Sequence, residues 1–125
     1  ILSLGAEDKS FDKVLAYSVI QYLSSERDVV RALTEVGRVL RPRGRALLAA
    51  NPDPARRSFV AGAAPPDREQ GNGQNFALTD RTLWLSPERL EALAAEAGLR
   101  ARATAIHPRI WQHRYMYDLV AEHGG

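Results

Sequence analysis

Histidine is the side chain best matched to proton transfer near neutral pH, and His107 and His113 lie close together late in this chain. A metal role would need a third ligand placed with them, and none is. Both therefore read as hydrogen-bonded or surface residues unless the fold aims one at a reacting atom. Trp84, flanked by Leu83 and Leu85, offers a broad apolar face with one N–H. It suits either the wall of a ligand pocket or a staple between a loop and the next helix. Gly71-Asn72-Gly73 follows no strand and opens no helix, so it does not read as a phosphate-cradling turn. The sequence contains no cysteine, which excludes disulfides, thiolate zinc sites and cysteine nucleophiles, and fits a reducing, cytoplasmic setting.

Charge adds little to this list. Net charge is +2 and nearly all the positive charge is arginine. Arg38, Arg41, Arg43 and Arg45 form the one basic cluster. No aromatic residues interleave it, so a solvated helix end and turn explains it better than a nucleic-acid surface. No apolar run approaches the roughly 20 residues of a membrane-spanning helix. A chain of 125 residues suffices for one domain with a core.

The elements that must position these residues follow from patterning. Val14–Ile20 is a short, continuous apolar run, the mark of a strand buried on both faces; a strand is expected at about 13–19. Ser24 and Ser25 offer N-caps, with Asp28 at capping-box spacing from Ser25. Val29, Leu33, Val36 and Leu40 then recur at helical spacing, which predicts a helix over 26–40. Pro42 should stop it and Gly44 let the chain turn into a second strand at 45–50. Strand, helix, strand over this length is a βαβ unit. Residues 51–82 are rich in proline and glycine and hold no steady period, apart from a short helix around Arg56–Ala61; they read as a lid-like insertion. Ser86-Pro87-Glu88 opens a helix over 87–97, and Gly98 sits where a left-handed residue ends one. Strands are expected at 100–106 and 115–121. Tyr115, Tyr117 and Leu119 alternate with Met116, Asp118 and Val120, which suggests that the last strand lies near an edge.

Three stretches in this order resemble class I S-adenosylmethionine-dependent methyltransferases. Phe11-Asp12-Lys13-Val14 through Leu23 is similar to the family's fourth strand, Leu33-Thr34-Glu35 through Leu48 to its following helix and fifth strand, and Leu85-Ser86-Pro87 through Leu99 to the helix before the sixth strand. The ending Arg114–Val120 resembles the last strand, which that fold inserts antiparallel. The resemblance implies an α/β fold, a partial Rossmann-like sheet flanked by helices. It implies S-adenosyl-L-methionine as cofactor and a small-molecule methyl acceptor. The family's Gly-rich turn and ribose-binding acid have no counterpart here, so the chain is expected to be the C-terminal part of one methyltransferase domain and inactive alone.

By the same resemblance, Ile1 and Leu2 would lie near the adenine. Tyr17 and Ser18 would face the methionine part, with Gln21 and Tyr22 close by. Ligands of open α/β sheets bind at the carboxyl ends of the strands, which directs attention on the acceptor side to Asn51, Asp53, Trp84, His107, His113 and Tyr115. No universal catalytic residue is implied, because the leaving group is already activated and the protein mainly aligns the reactants. A non-catalytic methyltransferase-like interaction domain is the alternative, since fold does not settle function. Self-association through an exposed sheet edge at Val14–Ile20 is expected of the chain by itself.

Overall fold

The computed structural model describes residues 1–61 and 82–124. Among the described residues the strands and α-helices follow in the order β1 (Phe11–Tyr17), α1 (Glu26–Val39), β2 (Leu40–Pro52), α2 (Ser58–Ala61), α3 (Pro87–Glu96), β3 (Leu99–Ala105) and β4 (Met116–His123). The sheet runs β1-β2-β4-β3. β1 and β2 are parallel, and β4 is antiparallel to both its neighbours. This is the mostly parallel sheet with an antiparallel last strand that the sequence implies.

The helices start where their caps stand. The Ser25 hydroxyl accepts the Asp28 N–H at 3.2 Å, satisfying one of the first-turn donors that α1 leaves unpaired. Asp28 does not return the bond as a capping box would. Its carboxylate turns to Arg31 instead, at 3.4 Å. Val29, Ala32, Leu33, Val36 and Val39 form the buried stripe of α1. The Ser86 hydroxyl accepts the Arg89 N–H at 3.1 Å and Pro87 occupies the first turn of α3, whose Leu90, Leu93 and Ala94 are buried. Gly98 closes that helix with φ +87°, the left-handed geometry expected there.

β4 lies next to the edge strand β3, near an edge as expected but paired on both sides: Ala121 pairs with Ala46 on one side and Ala101 on the other. The alternation of its side chains arises because one face of the whole sheet is open, not because one edge is. The turn after α1 differs from the expectation. Arg43, not Gly44, takes the left-handed conformation, at φ 69°. Gly44 is required for space, since a Cβ there would lie 2.8 Å from the Arg41 carbonyl oxygen and 3.1 Å from that of Asp12. Pairing begins at Phe11–Leu40, shifts, and resumes at Lys13–Arg45, so β2 starts several residues earlier than the apolar run predicts. The lid-like insertion proposed over 51–82 lies mostly outside the described residues.

Both long helices pack on one face of the sheet. Val29, Leu33 and Val36 of α1 and Leu90, Leu93 and Ala94 of α3 share a core with Ala16, Leu48, Leu99 and Leu119. Each such leucine contributes about 1.5–3 kcal/mol through removal from water. The opposite face carries Leu15, Tyr17 and Leu47 together with Lys13, Arg45, Arg100 and Arg102, all exposed. The run Val14–Ile20 is therefore not buried on both sides: Leu15 is 67% exposed and Ala16 only 7%.

Candidate functional site

β1 ends at Tyr17, in register with Ala49 of β2, which runs on to Pro52 beside β4. The Ser18 N–H still donates to the Ala49 carbonyl at 2.9 Å. Beyond that point β1 leaves the sheet through Ser18, left-handed at φ 57°, while β2 is interrupted at Ala50, left-handed at φ 63°, where its pairing with β4 shifts register. Such residues cost of order 1–3 kcal/mol each and persist only where their surroundings hold them. The Ala50 N–H is held by the Asp118 carboxylate at 2.9 Å. Ser18 is held through its hydroxyl, which accepts from Gln21 Nε2 at 2.9 Å.

Gln21 follows in a single 3₁₀ turn, Ile20–Tyr22, and is 3% exposed. Its backbone carbonyl accepts the Leu83 N–H at 2.9 Å, which ties the stretch before α3 to the end of β1. Asn51, 2% exposed, donates from Nδ2 to the Leu48 and Tyr117 carbonyls at 2.8 and 3.1 Å. Both side-chain oxygens, Gln21 Oε1 and Asn51 Oδ1, are buried without a hydrogen-bond partner. Burying an amide oxygen in this way costs about 1–3 kcal/mol.

An aromatic cluster stands at the same end of the sheet. Tyr115, Met116, Ile106 and Ala50 are buried together, and Trp84 and Trp111 pack against them. The Trp111 and Tyr115 rings meet edge to face at 5.2 Å between centroids. The Arg57 guanidinium lies 5.1 Å above the Trp84 ring. The Asp53 carboxylate accepts the Ala55 N–H at 3.0 Å, capping a short turn, and the Asp53 N–H donates to the Tyr115 carbonyl at 2.9 Å. Arg56 reaches the His113 carbonyl at 2.9 Å. His113 Nδ1 lies 2.7 Å from the Ile106 carbonyl oxygen, and His107 Nδ1 accepts the Arg109 N–H at 3.1 Å in an exposed turn. The two histidines are thus occupied locally.

The structure brings Asn51, Asp53, Trp84, His113 and Tyr115 to one end of the sheet, while His107 stands out in the turn after β3. Tyr17, Ser18, Gln21 and Tyr22 gather at the end of β1, with Tyr17 60% and Tyr22 71% exposed. Ile1 packs against the main core, and Leu2 is half-buried before the turn that joins α1. That turn is clamped. The Glu35 carboxylate accepts the Leu4 N–H at 2.6 Å, and Arg38 donates to the Leu4 carbonyl at 3.0 Å and to Asp8 at 2.6 Å. Hydrogen bonds from Arg38 and then from Leu4 hold the Glu35 carboxyl down to about 2. Tyr117 donates to the Leu85 carbonyl at 2.6 Å, and burial pushes its phenol well above the usual range. The sequence reading passed over Trp111, Arg57 and Thr82. Trp111 had a signal, an aromatic four residues before Tyr115; Arg57 had none, because only the fold brings it to Trp84, and Thr82 is buried without a pattern in the sequence to mark it.

Among the described residues, no group of three His, Cys, Asp or Glu is placed to hold a metal ion, and no helix is long and apolar enough to cross a membrane. Against S-adenosylmethionine, the end of β1 fits in part. The strained Ser18, the orphaned Gln21 oxygen and the exposed Tyr17 and Tyr22 rings make a polar, aromatic rim beside an open strand edge. Among the described residues, no carboxylate stands at the end of β1 to take ribose hydroxyls.

Comparison with known proteins agrees with this fold. Residues 1–48 match the methyltransferase domain family. No curated protein matches the chain. Among solved structures, a SAM-dependent methyltransferase from Methanosarcina mazei is similar with a TM-score of 0.65 at 15% identity, over 98% of this chain and 63% of its own. A SAM-dependent methyltransferase from Thermotoga maritima, described as a possible histamine N-methyltransferase, has a TM-score of 0.61 at 19% identity, over 99% and 60%. The [4+2]-cyclase SpnF has a TM-score of 0.62 at 16% identity, over 98% and 53%. The chain thus spans between about half and two thirds of the length of these three. Residues 1–48 match the methyltransferase domain family, and the described residues carry the fold of SAM-dependent methyltransferases.

Proposed function

We propose that this chain is the C-terminal part of a methyltransferase domain that transfers a methyl group from S-adenosyl-L-methionine to a small molecule, and that the longer protein containing it is the working enzyme. The observation that carries this reading is the pair of left-handed residues, Ser18 just past the end of β1 and Ala50 in β2 beside it, next to the buried, unpartnered oxygens of Gln21 and Asn51. That is the crevice position where open α/β sheets take ligands. When bound, the cofactor supplies an activated methyl group on a sulfonium. The chain's own residues then bind and align. Ile1 and Leu2 line the adenine side, and Tyr17, Ser18, Gln21 and Tyr22 the methionine side. Asn51, Asp53, Trp84, His113 and Tyr115 face the acceptor, with His107 at the outer rim. The Trp84, Trp111 and Tyr115 rings give that side the apolar, aromatic character of a small-molecule pocket and keep water out. No side chain is assigned as catalytic.

The test is calorimetry with S-adenosylhomocysteine on the 125-residue chain and on the full-length protein. We expect binding by the full-length protein and no measurable heat with the short chain. Tight binding by the short chain would show that the cofactor site is complete without further elements.

The second reading is a methyltransferase-like interaction domain. The open sheet face with Leu15, Tyr17 and Leu47 favours it, as does the presence of a cyclase among the structurally similar proteins. Absence of S-adenosylhomocysteine binding by the full-length protein would select it.

A further inference from the structure

Register sets the side chains of the open face in rows across the sheet: Lys13, Arg45, Glu122 and Arg100 in one, Leu15, Leu47, Val120 and Arg102 in the next. Leu15, Leu47 and Val120 thus make an apolar band three strands wide, extended along β1 by the exposed Tyr17. Neighbouring strands lie about 4.8 Å apart, so the band is about 10 Å across, the contact width of one helix. Cations border it. The Glu122 carboxylate is shared between Arg45 at 3.2 Å and Arg100 at 3.5 Å, and the other acid of this face, Asp118, is taken by the Ala50 N–H. Lys13 and Arg102 have no acid partner among the described residues. A hollow of about 290 Å³ between Arg100, Arg102, Val120 and Glu122 gives a side-chain carboxylate room beside the band. We infer that an amphipathic helix of the longer protein, apolar on one side and acidic along its flank, packs on this face with its acids towards Arg100 and Arg102. This rests on the reading above only in that the chain is part of a longer protein.

Charge and shape together select this occupant. A second copy would set Lys13, Arg45, Arg100 and Arg102 against the same four cations, and like charges facing one another oppose association. A nucleic-acid strand would use the arginines, but its phosphates gain nothing from Leu15, Leu47 and Val120 and would meet the Glu122 carboxylate. A helix with an apolar stripe at i, i+3, i+4 and i+7 uses both features at once. Acids at i and i+4 of a helix stand about 5–6 Å apart, close to the rise of about 6.7 Å between Arg100 and Arg102 along β3. β1 and β2 are a parallel pair, and parallel strands of α/β proteins are covered on both faces; here α1 and α3 cover one. Solved chains of this fold are longer, this chain spanning 63% and 60% of the two methyltransferases above. A helix on the same polypeptide also docks at a high effective concentration, so a contact of this modest size suffices. Once covered, the open face no longer favours the interaction-domain reading.

The experiment uses the full-length protein. The 125 residues contain no cysteine, so a thiol introduced among them is read against the background of the unaltered protein. Maleimide labelling of Leu15→Cys, and separately of Leu47→Cys, is timed against Arg31→Cys on α1. The Arg31 side chain is 60% exposed and Leu15 67%, so without a cover Leu15→Cys and Arg31→Cys react alike. Both sheet variants are expected to react at least about tenfold more slowly than Arg31→Cys, at a rate unchanged by dilution. Arg102→Glu added to Leu15→Cys should quicken labelling about fivefold, and Arg102→Lys should not, because only the reversal turns attraction into repulsion. Labelling of Leu15→Cys as fast as Arg31→Cys shows the face open and overturns the inference. So does protection lost on dilution, which marks a second copy, and so does protection unmoved by Arg102→Glu, which marks a cover without acids. Calorimetry with S-adenosylhomocysteine tests the methyltransferase reading separately. Absent binding with slow labelling refutes that reading and leaves the helix in place, whereas binding with fast labelling overturns the helix alone.

Discussion

Glu35 accepts the Leu4 N–H at 2.6 Å, so a carboxylate on α1 holds the irregular start of the chain by its backbone. Arg38, one helical turn further on, donates to both Glu35 oxygens and to the Leu4 carbonyl. Ile1 and Leu2, proposed for the adenine side, precede this clamp.

The clamp makes stability depend on acid pH. Glu35 titrates at about 2 in the folded chain against an ordinary value of 4.5. A lowered folded value means that the contribution is complete above the ordinary value and is lost as pH falls towards the lowered one. Thermal melts of Glu35→Gln and the parent should therefore differ most above about pH 4.5 and converge towards pH 2. Curves that stay parallel over that range would remove Glu35 from the clamp.

Arg43 and Gly44 should respond in opposite directions. Arg43→Gly relieves a left-handed side-chain residue and should be neutral to about 1 kcal/mol stabilising, since the relief offsets glycine's entropy. Gly44→Ala pushes a methyl against the Arg41 and Asp12 carbonyls and should cost about 1–3 kcal/mol. Urea unfolding of both variants checks the pair, and stabilisation by Gly44→Ala would refute the assignment of roles in this turn.

The two faces of the sheet should differ as sharply. Leu33→Ala empties part of the core and should cost about 2–5 kcal/mol. Leu15 points from β1 into the open face, and Leu15→Lys should leave the melting temperature nearly unchanged. It should also reduce self-association of the 125-residue chain, measured by sedimentation, because β1 is an edge strand with an apolar outer row. Sedimentation of the unaltered chain as a monomer at high concentration would refute association through that edge.

Tyr117 ties β4 to the stretch before α3 through its bond to the Leu85 carbonyl. Tyr117→Phe leaves that buried carbonyl without its donor and should lower stability by about 1–3 kcal/mol. Hydrogen exchange of the Leu83 N–H, which closes over Gln21, should quicken as the stretch loosens. An unchanged exchange rate would show that Leu83 is held independently of Tyr117.

Periodicity and caps alone determined much of this protein. The stripe from Val29 to Val36 with Ser25 before it marks α1, and Ser86-Pro87 with Gly98 brackets α3, because helical spacing, caps and left-handed ends are local chemistry. The resemblance added the order of the strands and the strand ends as the place to look for a site. Tertiary structure decided what depends on neighbours distant in sequence. An apolar run such as Val14–Ile20 reads the same whether one face is covered or two, and only packing shows Leu15 exposed beside a buried Ala16. Alternation in β4 could not reveal an interior strand, since pairing on both sides is a property of the sheet. Arg43 took the strained turn because Gly44 was needed for room against Asp12, a residue some thirty positions earlier. The Gln21 and Asn51 oxygens were legible as polar atoms in the sequence, but their want of a donor exists only once the chain has folded around them.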